Sequence, residues 1–316
     1  MNLLITGANG FIGQALVQRL LTADTLRPTR LTLLDLHVDD YADPRVTAIA
    51  GDIGDQQVLD RALAEPVDTI FHLASIPGGM AERDYALGWR VNVDATAALA
   101  HRVGAQGNTP RFVFASSIAV LGATLPTSVD DTTALHPSMS YGAQKQIGEI
   151  LLQDLSRRGL IDVRSVRLPG IVMRPPARTG QLSAFMSDLI RETAAGHAYT
   201  CPVSAQAALW LMSVERIVDN LLHAALMPAP NHGRTWTLPA LHLSIAELIE
   251  AVGRYCGLDA SALVSFSPDP ALEQAFGAYP PLSTPAAESL GFRHDGDAVA
   301  LVRRALNADP RRDSHA

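Results

Sequence analysis

Residues 6–13 read TGANGFIG and connect a short apolar run, residues 2–6, to residues 11–21, whose apolar side chains have helical spacing. The first segment has the length of a strand and the second has the length and period of a helix. A glycine-rich turn between a strand and a helix is the setting in which backbone binds the pyrophosphate of a dinucleotide. The stretch therefore predicts a dinucleotide-binding domain.

Five residues of this turn are candidates for contact with the cofactor. Gly7 allows the tight turn, Gly10 lets the backbone approach the pyrophosphate, and Gly13 lets the helix pack close to the sheet. Phe11 and Ile12 lie in the first helical turn, where N–H groups can donate to phosphate oxygens.

An acidic residue follows the second predicted strand. Asp35 stands directly after residues 31–34, and a carboxylate at that place accepts hydrogen bonds from the adenosine ribose. It would also repel a 2′-phosphate, so the sequence predicts NAD as the cofactor. Arg30 and His37 lie nearby and keep NADP open as an alternative.

The first half of the chain alternates short apolar runs with stretches of helical spacing. The predicted strands are residues 2–6, 31–34, 46–50, 69–73, 111–115 and 163–168. The predicted helices are residues 11–21, 83–103 and 141–157. Continuous apolar strands separated by helices are typical of a parallel sheet covered on both faces. The predicted fold is α/β, a doubly wound parallel sheet of the Rossmann type.

The composition changes after residue 168. Residues 169–180, PGIVMRPPARTG, cannot form a regular helix or a central strand. Helices are predicted near residues 182–195, 214–226 and 244–256, the last with Ser244 and Glu247 as a capping box, and residues 268–284 are predicted to be rich in loops.

These patterns predict two domains. An NAD-binding Rossmann domain spans residues 1–169, with residues 213–238 returning to it. A smaller, mostly helical domain that binds the substrate spans residues 170–212 and 239–310.

The segment SYGAQK places Tyr141 and Lys145 one helical turn apart on the same face. A phenol is a poor base at neutral pH, but a neighbouring ammonium and a nicotinamide ring lower its pKa, so Tyr141 can take a hydroxyl proton while hydride leaves the same carbon. Lys145 is the only lysine of the chain, and a planar guanidinium could not replace its compact charge. Ser117 follows a central strand, where its hydroxyl would orient the reacting oxygen.

Composition excludes several classes of function. A net charge of -7 provides no general field for nucleic acid. Two cysteines without a CxxC pair disfavour a disulfide framework and a zinc site, and the ten histidines form no HExxH motif, so no catalytic metal is predicted. Without a secretory signal or a long apolar run, the expected location is the cytoplasm, and no membrane partner is expected.

The chain resembles the extended short-chain dehydrogenase/reductase family, whose members include NAD-dependent epimerases and dehydratases. The matching pieces are TGANGFIG, Asp35, GDI at 51–53, FHLAS at 71–75, Asn92, FASSIAVLG at 114–122 and YGAQK at 141–145. The resemblance implies bound NAD, a carboxy-terminal substrate domain and often a homodimer. It also implies that the cofactor site includes Asp52, Ile53, Leu73, Ala74, Ser75, Asn92, Leu168 and Pro169, together with Tyr141 and Lys145.

Longer stretches resemble the branch of that family that oxidises D-erythronate, a four-carbon sugar acid, at C2. They include DYALGWRVN at 84–92, residues 130–152 and residues 208–224. The implied reaction is NAD-dependent oxidation of a small sugar acid at a secondary hydroxyl. Two alternatives stay open, namely a sugar-nucleotide epimerase and a non-catalytic regulatory protein that binds NAD.

A sugar acid requires a cation or a cluster of donors for its carboxylate. Arg174 and Arg178 lie in the loop after the last predicted strand of the first domain and are the candidates for this role. The other predicted substrate contacts are Ser75, Ser117, Ile118 and Tyr141.

Overall fold

The structure is a computed structural model that describes residues 1–23, 26–175, 182–229 and 233–308. Its strands are β1 (Asn2–Thr6), β2 (Arg30–Asp35), β3 (Val46–Ala50), β4 (Thr69–His72), β5 (Arg111–Ser117), β6 (Asp162–Leu168), β7 (Gly170–Val172), β8 (Tyr199–Cys201), β9 (Ala208–Ser213), β10 (Thr235–Thr237), β11 (Leu241–Ser244) and β12 (Val264–Phe266).

The α-helices are α1 (Phe11–Thr22), α2 (Gln56–Ala62), α3 (Gly78–Arg83), α4 (Tyr85–Trp89), α5 (Thr96–Gly104), α6 (Ser140–Arg157), α7 (Phe185–Ala194), α8 (Val214–Leu226), α9 (Ile245–Cys256), α10 (Pro270–Phe276), α11 (Pro285–Ser289) and α12 (Ala298–Asn307). A π-helix spans Arg90–Ala95, and 3-10 helices span Ile118–Leu121, Leu182–Ala184 and Ala260–Leu263. Within the described residues, no helix has the length and apolar character needed to cross a membrane.

The described residues form two compact units. The first unit takes its residues from Met1–Gly122, Leu135–Leu168 and Asn220–Thr237. The second unit takes its residues from Ala123–Ala134, Pro169–Asp219 and the part of the chain that follows Thr237.

A seven-stranded sheet in the order β10-β6-β5-β4-β1-β2-β3 forms the centre of the first unit, and all its neighbouring strands run parallel. Leu4, Ile70, Phe112 and Val163 are fully buried in it, as expected for a sheet covered on both faces. The strand order reverses between β1 and β4, and the carboxyl ends of strands at such a switch point border a ligand crevice. The predicted doubly wound Rossmann fold is confirmed.

The long helix predicted for residues 83–103 is present from Tyr85 to Gly104 as the consecutive segments α4, the π-helix and α5. Its start differs by two residues, because Asp84 separates it from α3. Asp84 has φ −126° and ψ 84°, ends α3, and caps α4 by accepting a hydrogen bond from Leu87 N at 2.9 Å. Aspartate favours such a cap over a helix interior. The π-helix Arg90–Ala95 then follows before α5.

The second unit has a three-stranded sheet in the order β11-β9-β7 and a parallel pair, β8 and β12. Its core packs α7, α9 and α12 against these strands. The predicted capping box is confirmed, since Ser244 Oγ accepts from Glu247 N while the Glu247 carboxylate accepts from Ser244 N. β7 lies at the edge of its sheet, as the proline-rich sequence predicts.

Two details of the second unit differ from the prediction. Residues 268–284 were predicted to be rich in loops, and they also contain the short helix α10. That helix forms because Asp269 accepts from two backbone N–H groups and Pro270 occupies the first helical position. Residues 123–134 and 213–219, which the sequence assigned to the first domain, group with the second unit. Val129 explains the first of these, since its N–H donates to Pro281 O at 2.9 Å and its carbonyl accepts from Ser283 N at 2.9 Å.

Candidate active site

The glycine turn between β1 and α1 leaves no space for a side chain at Gly7 or Gly13. Gly7 has φ +72°, and a Cβ on it would lie 2.6 Å from Ala74 N. A Cβ on Gly13 would overlap Gly7 O and lie 2.7 Å from Ala8 O. Gly10 is the N-cap of α1 and has no side chain that could accept a hydrogen bond from the first turn. No side-chain cap therefore covers the N-terminus of α1. These features fit the pyrophosphate of a dinucleotide, which backbone at a helix N-terminus binds closely.

Asp35 lies at the end of β2 and is tied to the same turn. One carboxylate oxygen accepts from Asn9 N at 2.9 Å and the other from Leu36 N at 2.7 Å. The side chain is therefore fixed beside the glycine turn, where an adenosine ribose would lie in this fold.

Tyr141 and Lys145 lie in the first two turns of α6, beside the carboxyl end of β5. Lys145 is 2% exposed, and its Nζ donates to Ala115 O at 2.8 Å. The same Nζ lies 5.7 Å from the centroid of the Tyr141 ring and 4.8 Å from that of Phe114. Burial lowers the pKa of Lys145 to about 7, against a smaller opposing effect of the Glu149 carboxylate.

Ser117 ends β5 and begins the turn that faces α6. Its Oγ accepts from Ala119 N at 3.1 Å, and Ile118 starts the 3-10 helix that follows. A Cβ on Gly142 would overlap Ala119 O, so only glycine lets the start of α6 approach this turn so closely. Ser117 and the Tyr141–Lys145 pair are thus brought to one end of the sheet.

Asn92 of the π-helix connects the strand ends to α6. Its Oδ1 accepts from Ile76 N at 2.8 Å and from Ser75 Oγ at 3.0 Å, and its Nδ2 donates to Gln144 Oε1 at 2.7 Å. Asn92 is 2% exposed and Gln144 is 1% exposed. A π-helical turn is a common way to direct one side chain inward at a functional site.

His72 ends β4 beneath the same region and is fully buried. Its Nδ1 lies 2.7 Å from Thr6 Oγ1 and its Nε2 lies 2.8 Å from Thr96 Oγ1. Burial, with a further effect of the Lys145 charge, lowers the pKa of His72 to about 3. The imidazole is therefore neutral at physiological pH and carries no charge toward Lys145.

The other predicted cofactor contacts of the first unit lie at or just after the carboxyl ends of β3, β4 and β6. Asp52 accepts from Gly54 N at 2.8 Å and pairs with Arg90 at 2.6 Å, and Ile53 is buried. Leu73 N donates to Thr6 O at 3.0 Å next to Ala74, and Leu168 pairs with Ser117 in the sheet register. Pro169 belongs to the second unit.

The two predicted carboxylate-binding arginines have different outcomes. Arg174 lies in the second unit after β7, where its N–H donates to Ser187 Oγ at 3.0 Å and its carbonyl accepts from Arg191. Arg178 lies outside the described residues. Throughout the part of the chain that the structure describes, no cluster of three or more His, Cys, Asp or Glu side chains is suited to a metal ion.

The sequence interpretation missed a buried polar group around Glu149. This carboxylate accepts hydrogen bonds from Ser116 and Arg167, one helical turn beyond Lys145. A signal was present, because Glu149 stands at the i+4 position from Lys145 on the buried face of a helix. Its partners were not identifiable, because they depend on how two strands align in space.

The comparisons with known proteins agree with this geometry. The model of the NAD dependent epimerase/dehydratase family matches residues 3–236. A D-erythronate dehydrogenase from Cupriavidus necator is 40% identical over 314 residues, covering 96% of this chain and 97% of that protein. A D-erythronate dehydrogenase from Haemophilus influenzae is 32% identical, covering 98% of this chain and all of that protein.

Solved structures show the same relationship. A structure described as a nucleoside-diphosphate-sugar epimerase from Agrobacterium tumefaciens superposes with a TM-score of 0.90 at 32% identity, covering 98% of this chain and 95% of that chain. The predicted family resemblance, the enzymatic nature and the NAD dependence are confirmed. On the strength of the family model and of relatives that match over its whole length, the chain belongs to the NAD dependent epimerase/dehydratase family and is an NAD-dependent oxidoreductase.

Proposed function

We propose that this enzyme oxidises D-erythronate, or a closely related sugar acid, at the C2 hydroxyl to the 2-dehydro acid. The observation that carries the proposal is full-length similarity, at 40% and 32% identity, to two proteins named D-erythronate dehydrogenase. The buried Lys145 ammonium beside the Tyr141 ring supports it, because a dehydrogenase needs a proton acceptor at neutral pH.

In the proposed mechanism, Tyr141 accepts the C2 hydroxyl proton at its phenolic oxygen. Lys145 keeps that phenol acidic through its positive charge, and its hydrogen bond to Ala115 O fixes its position. Ser117 donates to or accepts from the reacting oxygen and holds it near the phenol. When bound, NAD supplies the acceptor for the hydride that leaves C2, so each turnover yields the keto acid, NADH and one proton.

The remaining predicted contacts complete the proposal. Gly7, Gly10 and the first turn of α1 would hold the pyrophosphate. Asp35 would accept hydrogen bonds from the hydroxyls of the adenosine ribose. The other proposed cofactor contacts are Asp52, Ile53, Leu73, Ala74, Ser75, Asn92, Leu168 and Pro169. Ser75, Ile118, Arg174 and Arg178 are the proposed substrate contacts beside Ser117 and Tyr141.

We also infer a cytoplasmic homodimer. The family resemblance supports a dimer, and Cys201 and Cys256 are not joined in a disulfide, which is consistent with a reducing compartment. Light scattering coupled to size exclusion should give a mass of about twice the 33.7 kDa of one chain. A mass of one chain would contradict the dimer.

The decisive assay follows NADH absorbance with NAD and a panel of four- to six-carbon aldonic acids, and separately tests UDP-sugars. D-Erythronate, or a four-carbon relative, should give stoichiometric NADH. The epimerase alternative is kept because the similar Agrobacterium structure is described as a nucleoside-diphosphate-sugar epimerase. Interconversion of UDP-sugars without net NADH, and no reaction with any acid, would overturn the proposal.

A charge-removing variant tests the proposed carboxylate contact. Arg174→Leu should raise KM for D-erythronate about 10- to 100-fold and leave KM for neutral erythritol nearly unchanged, since a charge-assisted pair is lost only with the acid. Arg158→Leu, at an exposed arginine in the first unit, is the matched control. Equal increases for the acid and the polyol would refute carboxylate binding by Arg174.

A further inference from the structure

Glu149 is a buried carboxylate that the proposed mechanism does not use. It is 4% exposed and lies on α6 four residues after Lys145, so both side chains leave the helix on the same face. Ser116 Oγ donates to its Oε1 at 2.5 Å, and Arg167 donates to both oxygens at 2.9 and 2.8 Å. This carboxylate therefore has three short hydrogen bonds in a buried position.

The partners of Glu149 come from adjacent strands at matching positions. Ser116 of β5 pairs directly with Arg167 of β6 in the parallel register, so both side chains point to the same face of the sheet. Ser116 lies between two residues of the candidate site. Its predecessor Ala115 accepts the hydrogen bond from Lys145, and its successor is Ser117. Glu149 consequently fixes α6 against the two strands one turn below Lys145.

The groups that surround Lys145 or act on its charge come from four elements, α6, β5, β4 and β6. α6 contributes Tyr141 and Glu149, β5 contributes the Ala115 carbonyl and the Phe114 ring, β4 contributes neutral His72, and β6 contributes Arg167 through Glu149. Glu149 is the anion among these groups. Burial opposes the ammonium, and the Glu149 charge favours it.

A buried ion pair alone is weak evidence that it stabilises the fold, because apolar residues of the same volume often stabilise the fold at least as much as the pair does. A buried pair placed one turn from a catalytic ammonium has a further effect, since its anion acts on that ammonium at low local dielectric. We propose that Glu149 is a positioning residue, which holds α6 in register on β5 and β6 through Ser116 and Arg167 and keeps the Lys145 ammonium charged beside Tyr141. This inference rests on the proposed role of Tyr141 as the proton acceptor.

The direction of the effect follows from the helix geometry. Glu149 lies eight residues from Tyr141, about 12 Å along the helix axis, whereas Lys145 lies only about 6 Å along it. The direct effect of Glu149 on the phenol is therefore smaller than its effect through Lys145. Loss of the Glu149 charge should favour neutral Lys145 and raise the pKa of Tyr141.

Tyrosinate absorbance near 295 nm measures this pKa without turnover. The protein is titrated with saturating NAD, and the curve of the matching Tyr141→Phe protein is subtracted to isolate Tyr141. Burial raises the pKa of Tyr199, and it raises that of Tyr279 to about 12, so these phenols ionise at higher pH. In Glu149→Gln, which keeps the shape of the side chain, the titration of Tyr141 should move up by about one pH unit.

Two matched variants separate charge from packing. Arg167→Lys keeps both charges and loses the two parallel hydrogen bonds to Glu149, so the Tyr141 titration should stay within about 0.3 pH units of the wild type. Ser116→Ala removes one hydrogen bond and no charge, so the titration should stay within about 0.3 pH units of the wild type. A purely structural role would move the titration in Arg167→Lys and Ser116→Ala in the same direction as in Glu149→Gln.

A double variant covers the case in which Glu149→Gln does not fold. Glu149→Gln with Arg167→Met leaves no unpaired buried charge, and it should fold and show a smaller upward shift. An unchanged Tyr141 titration in the folded Glu149→Gln variants, or equal upward shifts in Glu149→Gln and Arg167→Lys, would overturn the inference. Because the titration needs no substrate, failure of wild-type enzyme to oxidise any acid would count against the proposed function alone.

Discussion

The glycine turn and the buried face of α6 both lie near the carboxyl ends of the central strands, but they are built in opposite ways. At Gly7 and Gly13 the backbone is packed so closely that a single Cβ would collide with carbonyl or amide atoms. On α6, by contrast, Lys145 and Glu149 place ionisable groups in a buried setting, and the half-buried Tyr141 lies one turn before Lys145.

The difference separates two kinds of constraint. The turn acts through shape, so it should respond to added volume and hardly to pH. The helix face acts through charge, so it should respond to isosteric changes that alter protonation and to pH. Substitutions that keep volume and change charge, or the reverse, therefore distinguish the two regions.

The largest effect is expected on kcat, after substitution of Tyr141 on α6. Tyr141→Phe keeps the ring and removes the proton acceptor, so kcat for oxidation of D-erythronate should fall about 1000-fold with nearly unchanged affinity for NAD. Tyr85→Phe, at a phenol whose residue is 57% exposed, is the control and should keep wild-type kcat. Steady-state NADH formation and quenching of protein fluorescence by NAD measure the two quantities. A Tyr141→Phe enzyme with more than a tenth of wild-type kcat would remove the phenol from the mechanism.

A smaller effect is expected from volume at the turn. Gly13→Ala places a methyl group against Gly7 O and Ala8 O, so the turn must shift and Kd for NAD should rise about 100-fold. Gly79→Ala is the control, because its Cβ would have 3.8 Å to the nearest atom, at the end of the Arg83 side chain. Isothermal titration with NAD measures both. Similar affinities in the two variants would show that close packing at Gly13 does not shape the cofactor site.

The smallest effect concerns His72, which lies between the two regions. The unfolded chain protonates this histidine near pH 6.5, whereas the folded protein keeps it neutral down to a pKa of about 3. The unfolded state then binds more protons in this window, so the free energy of unfolding decreases as pH falls from about 6.5 toward 3.

His72 should account for a loss of about 2 kcal/mol between pH 6.5 and pH 5. Urea unfolding at both pH values measures it, and His72→Asn, which retains a polar side chain between Thr6 and Thr96, should show a loss smaller by that amount. The same pH dependence in both proteins would mean that His72 has the same pKa in the folded and the unfolded chain, and this result would contradict the account.

The sequence predicted those parts of the molecule that depend on local patterns. β1 and β3 have the predicted bounds, and the Ser244 capping box forms as expected. The helix start at Asp84 was misplaced by two residues and α10 after Asp269 was missed, although both are set by a local acidic cap. These misses show that a single acidic cap can decide a boundary against the wider pattern.

The group around Glu149 could not be predicted for a different reason. Its contacts depend on the register that sets Ser116 beside Arg167, and that register is a non-local property of two strands separated by a whole helix. Sequence spacing placed Glu149 on the face of Lys145 but gave no information about what lies opposite.

The central claim is that the Lys145 ammonium makes Tyr141 a proton acceptor at neutral pH. The most direct test is the pH dependence of kcat/KM for NADH formation from D-erythronate between pH 6 and 10, in the wild type and in Lys145→Met. For the wild type, we expect a rise through an ionisation well below the ordinary phenol value of about 10, and for Lys145→Met the same rise displaced upward by at least about one pH unit. Coincident profiles for the two proteins would contradict the claim.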